Sequence, residues 1–282
     1  MTDAPRLPLP TWFFGCGNMG GAIVDGWRLA GIDLSSTIVI RPSGTPVQGV
    51  RTVPTVADAG PPPRLVILAF KPQKLEEVAP ELRKYLSAKT TVVSILAGVE
   101  ADTLRERFPG VAAIVRAMPN LPVAIRRGVV ALYSADADDS TRTELSTFFA
   151  PLGYAPWVVD EAKFAAVGSV AGAGPAYVAR FVTALAKAGE KRGLSAELAS
   201  TIALETVLGT AWMAAATNED MQSIARRVAS PNGTTEAGLA VLDREGVLDQ
   251  LIALTIEAAG RRAAELAQEA KSPSLAETPR LS

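Results

Sequence analysis

The 282-residue sequence contains no histidine and only one cysteine, Cys16. The first absence removes every Ser–His, Cys–His and histidine–metal scheme, so no metal site is expected. Chemistry must fall to carboxylates, Lys, Tyr, hydroxyls, backbone groups or a cofactor. The second absence excludes an intramolecular disulfide and fits a reducing, cytoplasmic setting. Net charge is lacking too: 28 Lys and Arg stand against 29 Asp and Glu, leaving −1. There is no bulk electrostatic case for nucleic acid or an anionic membrane, and a small soluble substrate fits better. Met1–Pro10 has three prolines and no apolar core, so it reads as a loose lead-in and not as a secretory signal. Leu198–Ala216 approaches the length of a membrane span, yet it contains Glu205 and several Ser and Thr and lacks basic flanks. It reads as a helix buried within protein.

What the chain does have, near its start, is a run of closely spaced glycines between two periodic segments. Thr11–Phe14 reads as a strand and Met19–Ala30 as a helix, joined by Gly15-Cys16-Gly17-Asn18-Met19-Gly20. A Gly-x-Gly-x-x-Gly turn in this setting suits a dinucleotide. Gly15 permits the tight turn, Gly17 lets backbone N–H groups approach a pyrophosphate, and Gly20 lets helix and strand pack closely. The anion then meets the positive end of the helix dipole. Cys16 is read as a small apolar occupant of the turn.

Further strands are expected at Ser36–Ile40, Leu65–Phe70, Thr91–Leu96 and Val111–Arg116, with helices at Leu75–Leu86 and Ala101–Phe108. Val53–Pro63, with four prolines, reads as mostly loop. Strands at Val129–Tyr133 and Ala155–Val159 flank a helix at Thr141–Ala150 and close the first domain. This alternation predicts a Rossmann-type α/β domain with a mostly parallel sheet over residues 1–160. From Glu161 onward the pattern turns all-α, with helices at Ala176–Arg192, Ala196–Ala216, Met221–Val228, Thr234–Arg244 and Leu248–Ala270. They are nearly apolar around their circumference, which a small bundle cannot bury alone. Residues 161–270 are therefore expected to form a helical dimerisation domain in which two subunits interleave. Residues 271–282 read as a disordered tail.

Several strand ends offer candidate ligands. Arg41, with Ser43 nearby, stands where an acidic residue would select NAD by its ribose 2′-hydroxyl, and so predicts NADPH, with NADH the alternative. Ala69, Lys71 and Pro72 follow the next strand of the cofactor side. Ala97-Gly98 and Met118-Pro119-Asn120 follow the two after that. In the helical part, Ala171-Gly172-Ala173-Gly174-Pro175-Ala176 and Ser230-Pro231-Asn232-Gly233-Thr234-Thr235 each precede a helix. Both are read as glycine loops presenting N–H donors to a small carboxylate, against the plainer reading as helix caps.

These motifs, in this order, resemble the pyrroline-5-carboxylate reductases from the glycine turn to about Ala270. The parts that carry the resemblance are Gly15–Met19, Ala69–Gln73, Met118–Asn120, Gly172–Tyr177 and Ser230–Thr235. The resemblance implies NAD(P)H-dependent reduction of the cyclic imine 1-pyrroline-5-carboxylate to L-proline, as part of proline biosynthesis. It also implies a Rossmann domain joined to a helical dimerisation domain, with homodimers that assemble further into rings. It gives Thr235 a hydrogen bond to the ring nitrogen and gives Gly233 and Thr234 the substrate carboxylate, with Gly172, Gly174, Ser230 and Asn232 around the substrate. Gly15, Gly17, Asn18, Met19, Gly20, Arg41, Ser43, Ala69, Lys71, Pro72, Ala97, Gly98 and Asn120 would hold the cofactor.

The chain departs from the family pattern at Ala171 and Ala173, where serines are usual, at Leu121, where threonine is usual, and at Asn232, where glycine is usual. The family's asparagine is also not evident around Thr55–Asp58. These departures bear on substrate identity and leave two alternatives, another cyclic imine or a catalytically weak NADPH-binding regulator. A β-hydroxyacid-type dehydrogenase ranks lower, because alcohol oxidation needs a general base and only Lys71 or Lys187 is at hand.

Overall fold

A computed structural model of the chain describes residues 7–271. It divides into two compact units: the first runs through Ala173 and resumes from Ala259, and the second is Gly174–Ala258. Eight strands form one sheet in the first unit: β1 (Thr11–Phe14), β2 (Thr37–Ile40), β3 (Arg51–Val53), β4 (Leu65–Leu68), β5 (Thr91–Ser94), β6 (Ala113–Pro119), β7 (Gly128–Tyr133) and β8 (Gly153–Tyr154). Their order is β3-β2-β1-β4-β5-β6-β7-β8, and every pairing is parallel except β6 with β7. The sequence expectation of a mostly parallel sheet is met.

Strand register builds two cores. Phe13, Val39, Ile67, Val93 and Val115 form one row across the sheet, while Trp12, Ile38, Val66, Val92 and Ile114 form the row that points the other way. The first row packs with Trp27 of helix α1 (Asn18–Leu29) and Leu145 and Phe149 of a later helix. The second packs with Leu75, Ala79 and Leu82 of α2 (Leu75–Arg83) and Leu104 of α3 (Ala101–Arg107). Both sheet faces are thus covered, which is why these strands read as continuous apolar runs without alternation. That later helix is α4 (Asp139–Phe149).

Some local readings need correction. The lead-in is not loose over its described part: Leu7 is buried in the first core, and Thr11 Oγ1 donates to Pro8 O at 2.5 Å. Its first six residues, and the tail apart from Lys271, lie outside the described residues. β3 takes the start of what reads as a proline-rich loop; a three-residue edge strand is too short to show a period. β8 lies before Ala155–Val159, because Pro156 has no N–H for the ladder. The carbonyl of Pro156 instead accepts from Leu132 N, and Val158 N donates to Leu132 O.

A helix missed in the sequence, α5 (Glu161–Val167), is capped by Asp160, whose carboxylate accepts from Lys163 N at 2.7 Å. It runs on into a π-helical turn at Gly168–Gly172. Beyond lie α6 (Gly174–Lys191), α7 (Ala196–Thr217), α8 (Met221–Val228), α9 (Thr234–Leu242) and α10 (Val247–Lys271). Ser195 caps α7, and Asn218, in the left-handed region at φ 53°, ends it. α6 and α7 pack through Val182, Ala186, Ala199 and Ala203.

The expectation that Leu198–Ala216 is buried within protein fails for the single chain. α7 is long and apolar enough by length and composition to cross a membrane, and only 11% of that stretch is buried. Only a stripe of alanines meets α6, so Leu198, Ile202, Leu204 and Leu208 remain exposed.

Candidate functional site

Parallel register sets the first half of the site. Phe14 stands opposite both Ile40 and Leu68, and Leu68 opposite Ser94, so β1, β2, β4 and β5 end at one edge of the sheet. The strand order reverses direction there, with β2 to one side of β1 and β4 to the other, which is where open α/β sheets bind ligands. Gly15, Arg41 and Ala69 are the first residues beyond three of these strands.

The glycine turn fits a pyrophosphate. Gly15 has φ +81°, and a Cβ there would lie 2.7 Å from Ala69 O, so no other residue suits the position. Gly17 caps α1 without a side-chain bond, and a Cβ on it would meet nothing within 4 Å. The first N–H of α1 that bonds back into the turn is that of Gly21, to Gly17 O at 2.8 Å. The N–H groups before it, at Asn18, Met19 and Gly20, are those a helix leaves for an anion. A Cβ on Gly20 would lie 3.0–3.5 Å from Phe13, Cys16 and Ala69, the close helix–strand packing the sequence predicts. Burial pushes the Cys16 thiol above its ordinary pKa, with Arg41 opposing, so it is protonated at neutral pH. That matches a packing residue.

Beside the turn lies a cleft of about 440 Å³, bounded by Phe14, Ile40 and Pro42 at the strand ends, by Pro54–Ala57, and by Phe70 and one face of α2. Arg41 N donates to Val53 O at 2.9 Å, and its guanidinium has no hydrogen bond or ion pair among the described residues. The Ser43 hydroxyl holds the following turn by accepting from Thr45 N and Thr45 Oγ1. Lys71 and Pro72 open a 3₁₀ turn, Pro72–Lys74, and it is Lys74, overlooked in the sequence, that reaches the cleft. Nothing local in the sequence distinguishes the two lysines; the turn decides.

Ala97 is exposed beyond β5, and Gly98 has φ +75°. A Cβ on Gly98 would lie 3.2 Å from the Leu266 carbonyl carbon, so the last turns of α10 come down on this loop. Asn120 is buried and fully engaged: its Nδ2 donates to Ala171 O at 3.0 Å and its Oδ1 accepts from Val129 N at 2.8 Å. Gly168 packs against Met118. The Met118–Asn120 motif therefore supports the π-helical turn.

That turn corrects the expected glycine loop at Ala171–Ala176. Residues through Gly172 are helical, Ala173 is a single bend, and Gly174 already begins α6. A Cβ on Gly172 or Gly174 would meet nothing within 4 Å, so both leave open space.

In the second unit, Ser230–Thr235 forms a tight turn into α9. Gly233 N donates to Ser230 O at 2.9 Å, and Asn232 sits at φ 57°. Gly233 is the cap of α9 and offers no side-chain bond, as Gly17 does for α1. Glu236, not singled out in the sequence, reaches back so that its carboxylate accepts from Asn232 N at 2.6 Å. Its position, three residues beyond the cap, is the signal that marks such a contact. Thr234 and Thr235 are the first two residues of α9, and Thr235 is half-buried.

Comparison with known proteins agrees with this construction. The family described as "Pyrroline-5-carboxylate reductase dimerisation" matches residues 161–266, and that described as "NADP oxidoreductase coenzyme F420-dependent" matches residues 12–98. The pyrroline-5-carboxylate reductase of Pseudomonas aeruginosa is 34% identical over 274 residues, covering 95% of this chain and 98% of that protein. The structure of a pyrroline-5-carboxylate reductase from Coxiella burnetii superposes with a TM-score of 0.85 at 32% identity, covering 92% of this chain and 98% of the other. A Plasmodium falciparum pyrroline carboxylate reductase solved with NADP bound gives 0.81 at 25% identity, with the same coverage. A helix-capped glycine turn at a sheet's switch point, a following all-helical segment and full-length similarity all agree: this chain belongs to the pyrroline-5-carboxylate reductase family.

Proposed function

We propose that this chain is an NADPH-dependent reductase that converts 1-pyrroline-5-carboxylate to L-proline. The observation that carries the reading is similarity over 95% of the chain to an enzyme of that name, spanning both the glycine turn and Ser230–Thr235. The pyrophosphate suits the N–H groups at the start of α1, and the Arg41 guanidinium, unpaired among the described residues, suits a ribose 2′-phosphate. When bound, the nicotinamide supplies a hydride to the imine carbon.

The protein's own contribution is binding and orientation. The N–H groups around Gly233 and Thr234 hold the substrate carboxylate at the start of α9, and the Thr235 hydroxyl hydrogen-bonds the ring nitrogen, which gains a proton as the C=N bond becomes C–N. No histidine is required, since a cyclic imine is basic enough to be protonated by solvent or a hydroxyl. Rate enhancement is then chiefly proximity of the imine carbon to the nicotinamide.

The working form is a homodimer joined through the helical segment, assembling further into a ring, in the cytoplasm. The exposed apolar faces of α7 and α10 support the dimer.

Following NADPH absorbance with pyrroline-5-carboxylate and with other cyclic imines tests the reading. Thr235→Ala is expected to lower turnover by about tenfold or more while NADPH still binds, the worth of one hydrogen bond to a charged ring nitrogen. Wild-type turnover in that variant overturns the role of Thr235. Turnover only with another imine would assign the effect of Ala171 and Ala173 to substrate choice.

A further inference from the structure

We propose that Glu77, assisted by Lys74, reads the purine base of the cofactor and selects adenine by its exocyclic amine. The inference rests on the dinucleotide reading above. With the pyrophosphate at the start of α1 and the ribose beside Arg41, the base must lie farther along the same edge, in the cleft between Pro42 and α2. Its walls there are Pro54, Val56, Phe70, Val78 and Tyr85, flat or branched apolar surfaces that suit an aromatic ring but cannot tell one purine from another.

Discrimination needs polar groups with spare capacity. The Thr55 hydroxyl donates to Asp58 at 2.6 Å, and Glu81 is paired with Lys84. Lys74 and Glu77 are the other charged residues lining the cleft, and neither side chain makes a hydrogen bond or ion pair among the described residues. Lys74 precedes α2 as its cap and Glu77 lies in the first turn of that helix, and both border the same cleft.

One edge of adenine carries an amine donor beside the N7 acceptor, whereas guanine and hypoxanthine carry a carbonyl in place of that amine. A carboxylate and an ammonium side by side complement the adenine edge. The same carboxylate faces the carbonyl of the other purines with like polarity. The field of Lys74 keeps Glu77 from simply repelling an anionic cofactor.

The test compares NADPH with its deaminated analogue, in which hypoxanthine replaces adenine, by dissociation constants from fluorescence titration of the intact protein. The wild type is expected to bind NADPH about tenfold more tightly, the lower end for a charge-assisted hydrogen bond because Glu77 is solvent-exposed. Glu77→Gln should bring the ratio to about one, since its amide can turn either an oxygen to the amine or an NH₂ to the carbonyl. A wild-type ratio near one, a ratio that persists in Glu77→Gln, or its loss in Glu81→Gln instead overturns the assignment while leaving the dinucleotide reading intact. Failure of the wild type to bind NADPH at all removes that reading, and this inference with it.

Discussion

At the scale of single residues, two glycines of one turn separate folding from binding. Gly15 combines a positive φ with backbone packed against it, so Gly15→Ala strains the first core. It is expected to cost about 1–3 kcal/mol, seen as a lowered Tm. Gly17 has φ −83° and open space around it, so Gly17→Ala is expected to leave Tm nearly unchanged and to weaken NADPH binding. Equal losses of stability in both variants would contradict this division. At Arg41 the prediction concerns preference: Arg41→Asp should lower the NADPH-to-NADH ratio of kcat/KM by about tenfold or more, as expected when a charge-assisted phosphate bond is replaced by repulsion. An unchanged ratio would remove Arg41 from cofactor selection. The spacing that marks the glycines was fully legible in the sequence, because it is local. Lys74 and Glu77 were not, because a lysine or glutamate declares its role only by what stands opposite.

Among the elements, the joint between β6, α3 and α5 is the most informative. Arg116, buried on β6, is paired with Glu161 at the start of α5, lies 4.3 Å over the Phe164 ring, and has its pKa lowered by burial against the opposing charge of Glu161. The same Glu161 accepts from Ala101 N at 2.9 Å, supplying the start of α3. Glu161→Ala leaves a buried cation unpaired and one helix start uncapped. A cost of about 2 kcal/mol in chemical denaturation is expected, below the value for a fully buried pair because Glu161 is one-third exposed to water. The helix caps contribute to the acid limb. Asp138, Asp160 and Asp220 have pKa values lowered, the first two chiefly by backbone N–H groups and Asp220 chiefly by the Ser223 side chain. A carboxylate whose folded pKa is depressed contributes stability that is present above its unfolded pKa, about 3.9, and lost as pH falls through the folded value. Asp160→Asn keeps a capping oxygen but removes that titration, so its stability should decline less steeply than the wild type's below about pH 4. A superimposable acid-unfolding curve would contradict this. Helix α5 itself was readable from the Asp160 cap and was overlooked. The π-helical turn after it was not readable, because Asn120 and Met118 hold it from another part of the chain.

For the whole molecule, the decisive feature is apolar surface that the single chain leaves in water. Ile202 and Leu208 of α7 are about half exposed, as are Leu251 and Ile252 of α10. A patch of this kind marks an interface. Leu208→Glu is therefore expected to shift sedimentation from dimer toward monomer; a wild-type protein that sediments as a monomer would remove the dimer altogether. The all-round apolar character of α7 was evident in its sequence, and it is the reason a second chain is expected to cover it. Its degree of exposure in one chain was misjudged, since composition records how apolar a helix is and says nothing of how many neighbours it has.

By itself the sequence determined the elements whose causes are local: the apolar strands, the glycine-headed helix, the capped helices and the change from mixed to all-helical pattern. The tertiary structure decided what depends on partners distant in the chain. Parallel register aligned the ends of β1, β2, β4 and β5 so that Gly15, Arg41 and Ala69 leave the sheet at one edge. β3 formed only because β2 was there to pair with it. The end of α10 settled on Gly98, and a π-helical turn settled on Asn120. Each of these follows from hydrogen bonds or packing between separate segments of the chain, and neither segment alone records its partner.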